Sequence, residues 1–335
     1  MSTFKVEVVS IDSVVNHPGA DRLDIAQIRG WRCVVGRDQF KTGEEAVYIP
    51  IDAVLPEALV KELGIEKGYR KRVRSIKLRG EFSQGLLMKP REGWKLGDDV
   101  AESLQITKWE ESIPVEMRGI QAPRDPRFAQ YTDIENIKNY PTVFTSNDQV
   151  VVTEKIHGTN WRAAKFASAF AADGVGELLV GSHRTNLIES ENNLYWRAAN
   201  LIGVKEKLLP GEQLFGEVYG AGIQDLTYGK KPGEIAVVIF DVMKDGNFLS
   251  YTDMQNFLTS KGWEKLYPPV LYSGPWEERL TEYAKGYSIL HHSQIKEGVV
   301  IKMLDETYNE KLAGRKILKA IGEQYLLRKE GTEGH

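Results

Sequence analysis

Thr153-Glu154-Lys155-Ile156-His157-Gly158-Thr159-Asn160 follows the apolar run Val150-Val151-Val152. The run has the composition of a buried strand, and Gly158 marks a tight turn soon after it. A lysine amine attacks phosphorus only when it is uncharged and held in line. A lysine at a strand end, followed by such a turn, meets that requirement, which makes Lys155 the leading candidate for a covalent nucleophile.

Five further strings follow in order. They are Ser182-His183-Arg184-Thr185-Asn186 after the strand-like Leu178-Leu179-Val180, then Leu214-Phe215-Gly216-Glu217-Val218-Tyr219-Gly220, Ile239-Phe240-Asp241-Val242, Glu297-Gly298-Val299-Val300-Ile301-Lys302 and Lys316-Ile317-Leu318-Lys319-Ala320-Ile321. The lysine string resembles the Lys-x-His/Asp-Gly motif of the covalent nucleotidyltransferases. In its longer form, Glu-Lys-Ile-His-Gly-Thr-Asn, it resembles the ATP-dependent RNA ligases. The other five are similar to that family's later motifs, and the resemblance covers nearly the whole chain, most specifically from Glu154 to Leu327.

The resemblance implies roles for particular residues. Lys155 would attack the α-phosphorus of ATP, expel pyrophosphate and carry AMP. The adenylate would pass to an RNA 5′-phosphate, and a 3′-hydroxyl would then displace AMP. Glu154 would lie beside the base edge, Asn160 and Arg184 would contact ribose or phosphate, and Phe240 would stack on the purine. Ile156, His157 and Gly158 belong to the same nucleotide-binding turn. Lys319 would face the triphosphate, with Lys302 and Lys316 in support. Glu217 and Glu297, hard oxygen ligands, would hold Mg²⁺ or Mn²⁺ through water. A cation there would also favour the neutral form of a nearby lysine by like-charge repulsion. His157 occupies a position where many relatives have aspartate, which leaves the metal count open. Its imidazole is as well suited to packing or hydrogen bonding as to acid–base work.

At 335 residues and 41% hydrophobic content, the chain has room for two domains with substantial cores. No apolar run approaches a membrane span and Met1-Ser2-Thr3-Phe4-Lys5 lacks a signal-peptide pattern, so a cytoplasmic monomer is expected. A single cysteine, Cys33, excludes an internal disulfide framework and a multi-thiolate zinc site. The formal net charge of −3 argues against a uniformly basic surface, but nucleic-acid binding needs only one basic face. Lys67, Arg70, Lys71, Arg72, Arg74, Lys77 and Arg79 crowd one segment, interleaved with Tyr69, Val73, Ile76, Leu78 and Phe82. Arg70, Lys71, Arg72, Arg74, Lys77 and Arg79 are the expected phosphate contacts.

The first hundred residues read as short strands, Phe4 to Val15, Asp24 to Val35, Glu45 to Ile51 and Arg74 to Met88, separated by turn chemistry. His17-Pro18-Gly19-Ala20-Asp21-Arg22-Leu23 resembles the opening of OB-type modules that bind tRNA. Ile76 to Leu86 resembles the N-terminal OB domain of one RNA ligase branch. The expected architecture is α+β: an OB-like β-barrel over residues 1–105, a proline-spaced linker over 106–145, and a nucleotidyltransferase domain of antiparallel sheets with flanking helices over 146–335. Leu194, Ala198, Leu201 and Leu208 predict one amphipathic helix ended by Pro210-Gly211, and Thr252 to Leu258 and Trp276 to Ala284 predict shorter ones. Ala171-Ala172-Asp173-Gly174 and Lys244-Asp245-Gly246-Asn247 predict hairpin turns.

DNA ligases and capping enzymes share the lysine motif but carry an OB domain after the last lysine motif, where only Ala320 to His335 follow here. The order favours an RNA ligase acting on 3′-hydroxyl and 5′-phosphate ends, such as those of a nicked duplex. DNA or general polynucleotide nick sealing stays open, because no residue is an evident 2′-hydroxyl reader. So does a non-catalytic RNA-binding module, although a pure binder has no need of Lys155, Glu217, Glu297 and Lys319 together.

Overall fold

The computed structural model describes residues 3–109, 119–167, 176–328 and 331. The turn expected at Ala171-Ala172-Asp173-Gly174 lies outside them. The chain divides into two compact units, Met1–Glu111 with Asp133–Val143 and Ala320–His335, and Ser112–Thr132 with Phe144–Lys319. This division is discontinuous in sequence, where the boundaries expected at residues 105 and 145 are not.

The first unit is built of short antiparallel strands. Glu45–Ile49 pairs with Glu7–Ser10 on one side and Leu86–Met88 on the other, Leu23–Ile28 lies between Ser13–Asn16 and Trp31–Gly36, and Ser75–Leu78 pairs with Glu81–Gln84. Alternation along Trp31–Gly36 sends Trp31, Cys33 and Val35 inward. Val6, Val8, Val47, Ile49, Leu59, Val73, Met88 and Ile106 form its core. A helix over Glu57–Glu62, which the sequence reading missed, starts after Pro56 and buries Leu59 and Val60. Burial pushes the Cys33 thiol up to about 12, so it behaves as a small hydrophobe.

The segment at 133–143 joins this unit for identifiable reasons. A Cβ on Gly30 would lie 2.7 Å from Lys138 Cα, so only glycine admits that backbone. The Gly30 amide donates to Lys138 O at 2.9 Å, and Trp31 Nε1 donates to Asn139 Oδ1 at 2.7 Å. Arg32 is 3.0 Å from Glu323, which ties in the C-terminal stretch.

The basic segment splits in two, correcting part of the expected phosphate surface. Lys67, Arg70, Lys71, Lys77 and Arg79 are exposed. Arg72 is 7% exposed; its Nε lies 3.1 Å from Asp52, its Nη2 donates to Gly331 O at 3.0 Å, and its guanidinium lies over the Trp109 ring. Arg74 is half-buried and donates to Arg328 O. Both arginines hold chain segments that are distant in sequence, each through an Nη2 donor turned into the fold. Arg72→Ala should therefore cost about 3 kcal/mol, since it strips a charge partner from buried Asp52. Thermal unfolding of the variant beside Arg70→Ala checks this, and equal midpoints would place Arg72 among the exposed cations.

The second unit carries two sheets. In one, Gln149–Lys155 runs antiparallel between Val270–Pro275 and Gly298–Met303, and Ile317–Ile321 lies on the far side of Gly298–Met303. The other has six strands in the order Asn186–Leu187, Glu177–Ser182, Thr159–Phe166, Glu212–Gly220, Ile235–Lys244 and Asn247–Phe248. One face of the six-stranded sheet, with Trp161, Ala163, Leu214, Val218, Val237 and Ile239, packs on Tyr195, Ala198, Met254, Leu258 and Trp263. The expected helix from Leu194 to Leu208 is two, Leu194–Leu201 and Val204–Lys207, because Gly203 between them adopts φ +66. Tyr251–Ser260 is helical as expected, and Glu278–Ala284 is a 3₁₀ helix. Asp245 and Gly246, at φ +49 and +81, make the tight hairpin that pairs Met243 with Phe248.

Candidate active site

The Lys155 strand delivers its last residue to the junction of the two sheets. Register with Gly298–Met303 sets Glu154 opposite Val299 and Lys155 opposite Gly298, so the preceding Glu297 stands beside the lysine. Lys155 Nζ lies 2.8 Å from Glu297 Oε1; the lysine side chain is 13% exposed and the glutamate 1%. The chain then turns through Ile156, His157 and Gly158 and enters Thr159–Phe166 of the six-stranded sheet. Ile156 is buried and anchors the turn.

Gly158 is dictated by close approach. A Cβ there would sit 2.2 Å from Val218 O and 3.1 Å from Glu217 Cγ. Its absence lets the turn lie flat on the Glu212–Gly220 strand, with Asn160 opposite Glu217. Burial raises the Glu217 carboxyl to about 8; the charges of Lys155 and His157 oppose the rise and Glu297 adds to it. Lys155, His157, Glu217 and Glu297 thus form one electrostatic group.

His157 is buried with both ring nitrogens engaged. Nε2 lies 3.0 Å from Asp225 Oδ1 and Nδ1 3.4 Å from Glu297 Oε2, while its backbone N–H donates to the Tyr228 hydroxyl at 2.7 Å. Burial alone would lower the imidazole pKa, but the two carboxylates outweigh it and raise it to about 9. The two carboxylates thus favour the charged form of the ring.

Among the described residues no group of three or more His, Cys, Asp and Glu forms a metal cage. Two mutually repelling carboxylates, Glu217 and Glu297, do fit a hard divalent cation that keeps waters and draws further oxygens from phosphate. They do not fit a soft or fully protein-ligated ion.

Glu154 lines a second part of the site. Its Oε2 accepts the Ile289 N–H at 2.8 Å, while its buried Oε1 and the buried Asn160 Oδ1 have no hydrogen-bond partner. An acceptor left open in this way suits a ligand donor. Tyr219 and Tyr228 meet edge to face at 5.1 Å, and the Glu154 charge reaches both.

Other expected site residues have different surroundings. Lys302 is corrected: at 7% exposure its ammonium is 2.8 Å from Asp241 and 3.1 Å from Glu306, so it is committed inside the protein. Asp241 also receives Arg315 at 2.7 Å and the Tyr131 hydroxyl at 2.9 Å. Burial works against that carboxylate, but Lys302 and Arg315 hold it below the ordinary range. Lys316 is likewise paired, 2.7 Å from Asp148. Phe240 is half-buried against Tyr131 at 4.8 Å, within a cluster that includes Phe215 and Phe248. Arg184 is exposed in the turn between Glu177–Ser182 and Asn186–Leu187, and Lys319 is buried in the Ile317–Ile321 strand.

Sequence reasoning missed Asp225, Tyr228 and Tyr131. Only the glycines at 222 and 229, which bracket Gln224-Asp225-Leu226-Thr227-Tyr228, hinted at a shaped loop.

Comparison with known proteins agrees with this geometry. Residues 148–321 match the RNA ligase family, and residues 5–90 match an OB-fold domain. No curated protein sequence matches the chain. Among solved structures, a Naegleria gruberi RNA ligase mutant in the apo form is similar at 25% identity and TM-score 0.81, over 97% of this chain and 98% of that one. A mutant of the same ligase with ATP and Mn is similar at 26% identity and TM-score 0.81, over 96% and 98%. The Naegleria ligase with PPi is similar at 26% identity and TM-score 0.80, over 97% and 98%.

Proposed function

The chain belongs to the RNA ligase family, and from that premise we propose that it seals 3′-hydroxyl and 5′-phosphate ends of nicked duplex RNA through a lysyl-AMP on Lys155. It is an ATP-dependent RNA ligase. The observation that carries the reading is the Lys155 amine at a strand end, 2.8 Å from Glu297 and grouped with Glu217 and His157.

The residues divide the work as follows. Lys155 forms the bond to the α-phosphorus of ATP as the bond to pyrophosphate breaks, and the proton its amine gives up passes to solvent. Pairing with Glu297 fixes the amine in place. Glu217 and Glu297 would hold Mg²⁺ or Mn²⁺, which supplies positive charge beside the phosphate oxygens. Glu154 Oε1 and Asn160 Oδ1 offer acceptors to the nucleotide, the half-buried Phe240 offers a ring to its base, and Arg184 and Lys319 offer charge to its phosphates. In the first unit, exposed Arg70, Lys71, Lys77 and Arg79 contact the RNA backbone.

No helix of the described residues is long and apolar enough to cross a membrane. Nicked duplexes differing only in the sugar of the 3′-hydroxyl strand test the substrate. RNA should be sealed in preference to DNA, because 2′-hydroxyls and A-form geometry offer contacts that DNA lacks. Sealing should fall steeply as salt rises, while self-adenylation changes less. Equal sealing of both sugars would make the protein a general polynucleotide ligase, and RNA binding without covalent labelling would make it a binding module.

A further inference from the structure

The loop after the Glu217 strand reaches His157 twice. Gly220 and Gly222, at φ +145 and +84, turn the chain out of the sheet, and Tyr228 and Gly229, at +52 and +72, turn it back. Between them Asp225 engages the imidazole and Tyr228 engages the His157 backbone. The loop is itself tethered, because the Tyr228 N–H donates to Gln294 Oε1 at 3.0 Å, three residues before Glu297.

An imidazole ring has one torsion that sets where both nitrogens point. Fixing Nε2 on Asp225 therefore fixes the direction of Nδ1, which lies against Glu297 Oε2. The other oxygen of the same carboxylate, Oε1, meets Lys155. Asp225, 30% exposed, is thus connected to the Lys155 amine through two buried side chains.

Resting on the assignment of Lys155 as nucleophile, we propose that Asp225 is a positioning residue for adenylation. It aims His157 at one oxygen of Glu297, leaving the other to hold the Lys155 amine. Without Asp225 the ring is free to turn, Glu297 is free to rotate, and the amine loses its fixed place. Asparagine keeps an acceptor oxygen at the same position and should preserve the aim.

Single-turnover covalent labelling of the full chain, with ATP labelled in the α-phosphate and saturating Mn²⁺, tests this. Asp225→Ala should slow labelling about 10- to 100-fold, the scale set by small displacements of a reacting group, with the apparent KM for ATP within about threefold. Asp225→Asn should stay within about fivefold of wild type on the same scale. The double variant Asp225→Ala, His157→Ala should be no slower than His157→Ala alone, because a residue that acts through another has nothing left to act on. A double-variant rate equal to the product of the single effects would overturn the proposal, as would an unchanged Asp225→Ala. The asparagine variant and its own double with His157→Ala keep the test decisive if alanine impairs folding. Absence of label in wild type would instead overturn the assignment of Lys155.

Discussion

Lys155→Ala is expected to remove covalent AMP labelling altogether, a loss of at least about 10³-fold, the scale seen when a covalent nucleophile is deleted. The side chain ends in a partly open, polar site, and Glu297 keeps His157 as a neighbour, so the fold should survive the change. Lys155→Arg should label no better. Its guanidinium can pair with Glu297 but stays protonated and is a poor nucleophile. Circular dichroism with labelling on the same preparations separates lost chemistry from lost structure, and substantial labelling of folded Lys155→Ala would locate the nucleophile elsewhere.

Glu297→Gln should have the next largest effect, lowering the adenylation rate about 10²- to 10³-fold, as expected when a charge set against reacting groups is removed. The amide fits the same buried space but can no longer carry charge to Lys155, to His157 or to a divalent cation. Glu217→Ala should act in the same direction and more weakly, because Glu217 is less buried and makes no ion pair with the lysine. Both losses should be deepest at limiting metal and partly recovered by excess Mn²⁺. Normal sealing by both variants across a metal titration would make these carboxylates structural charges.

The strand end that carries Lys155 and the turn after it were legible because their information is local. Val150 to Val152 specify the strand, Gly158 permits the approach to Val218, Glu217 lies in a strand with a clear pattern, and Glu297 directly precedes one. The hairpin at Asp245-Gly246 was legible for the same reason. What sequence hid depends on contacts far apart in the chain. Lys302 looks like a free cation until Asp241, on another strand, is found against it. Arg72 sits in a run of bases, but only the fold shows that Asp52 and Gly331 enclose it. Asp225 had no motif to mark it, because its role depends on a loop returning to His157. The division of the chain is discontinuous because Lys138 and Asn139, from the proline-spaced stretch, and Glu323, from beyond the nucleophile, bond to residues of the first unit.

The central claim is that ATP leaves AMP on Lys155. Incubating the intact protein with ATP and Mn²⁺, then mapping the adduct by peptide mass spectrometry, addresses it directly. The account predicts one AMP per chain on the peptide containing Lys155, released when 5′-phosphorylated nicked RNA is added. An adduct on any other residue, or none in folded protein that binds ATP, would contradict it.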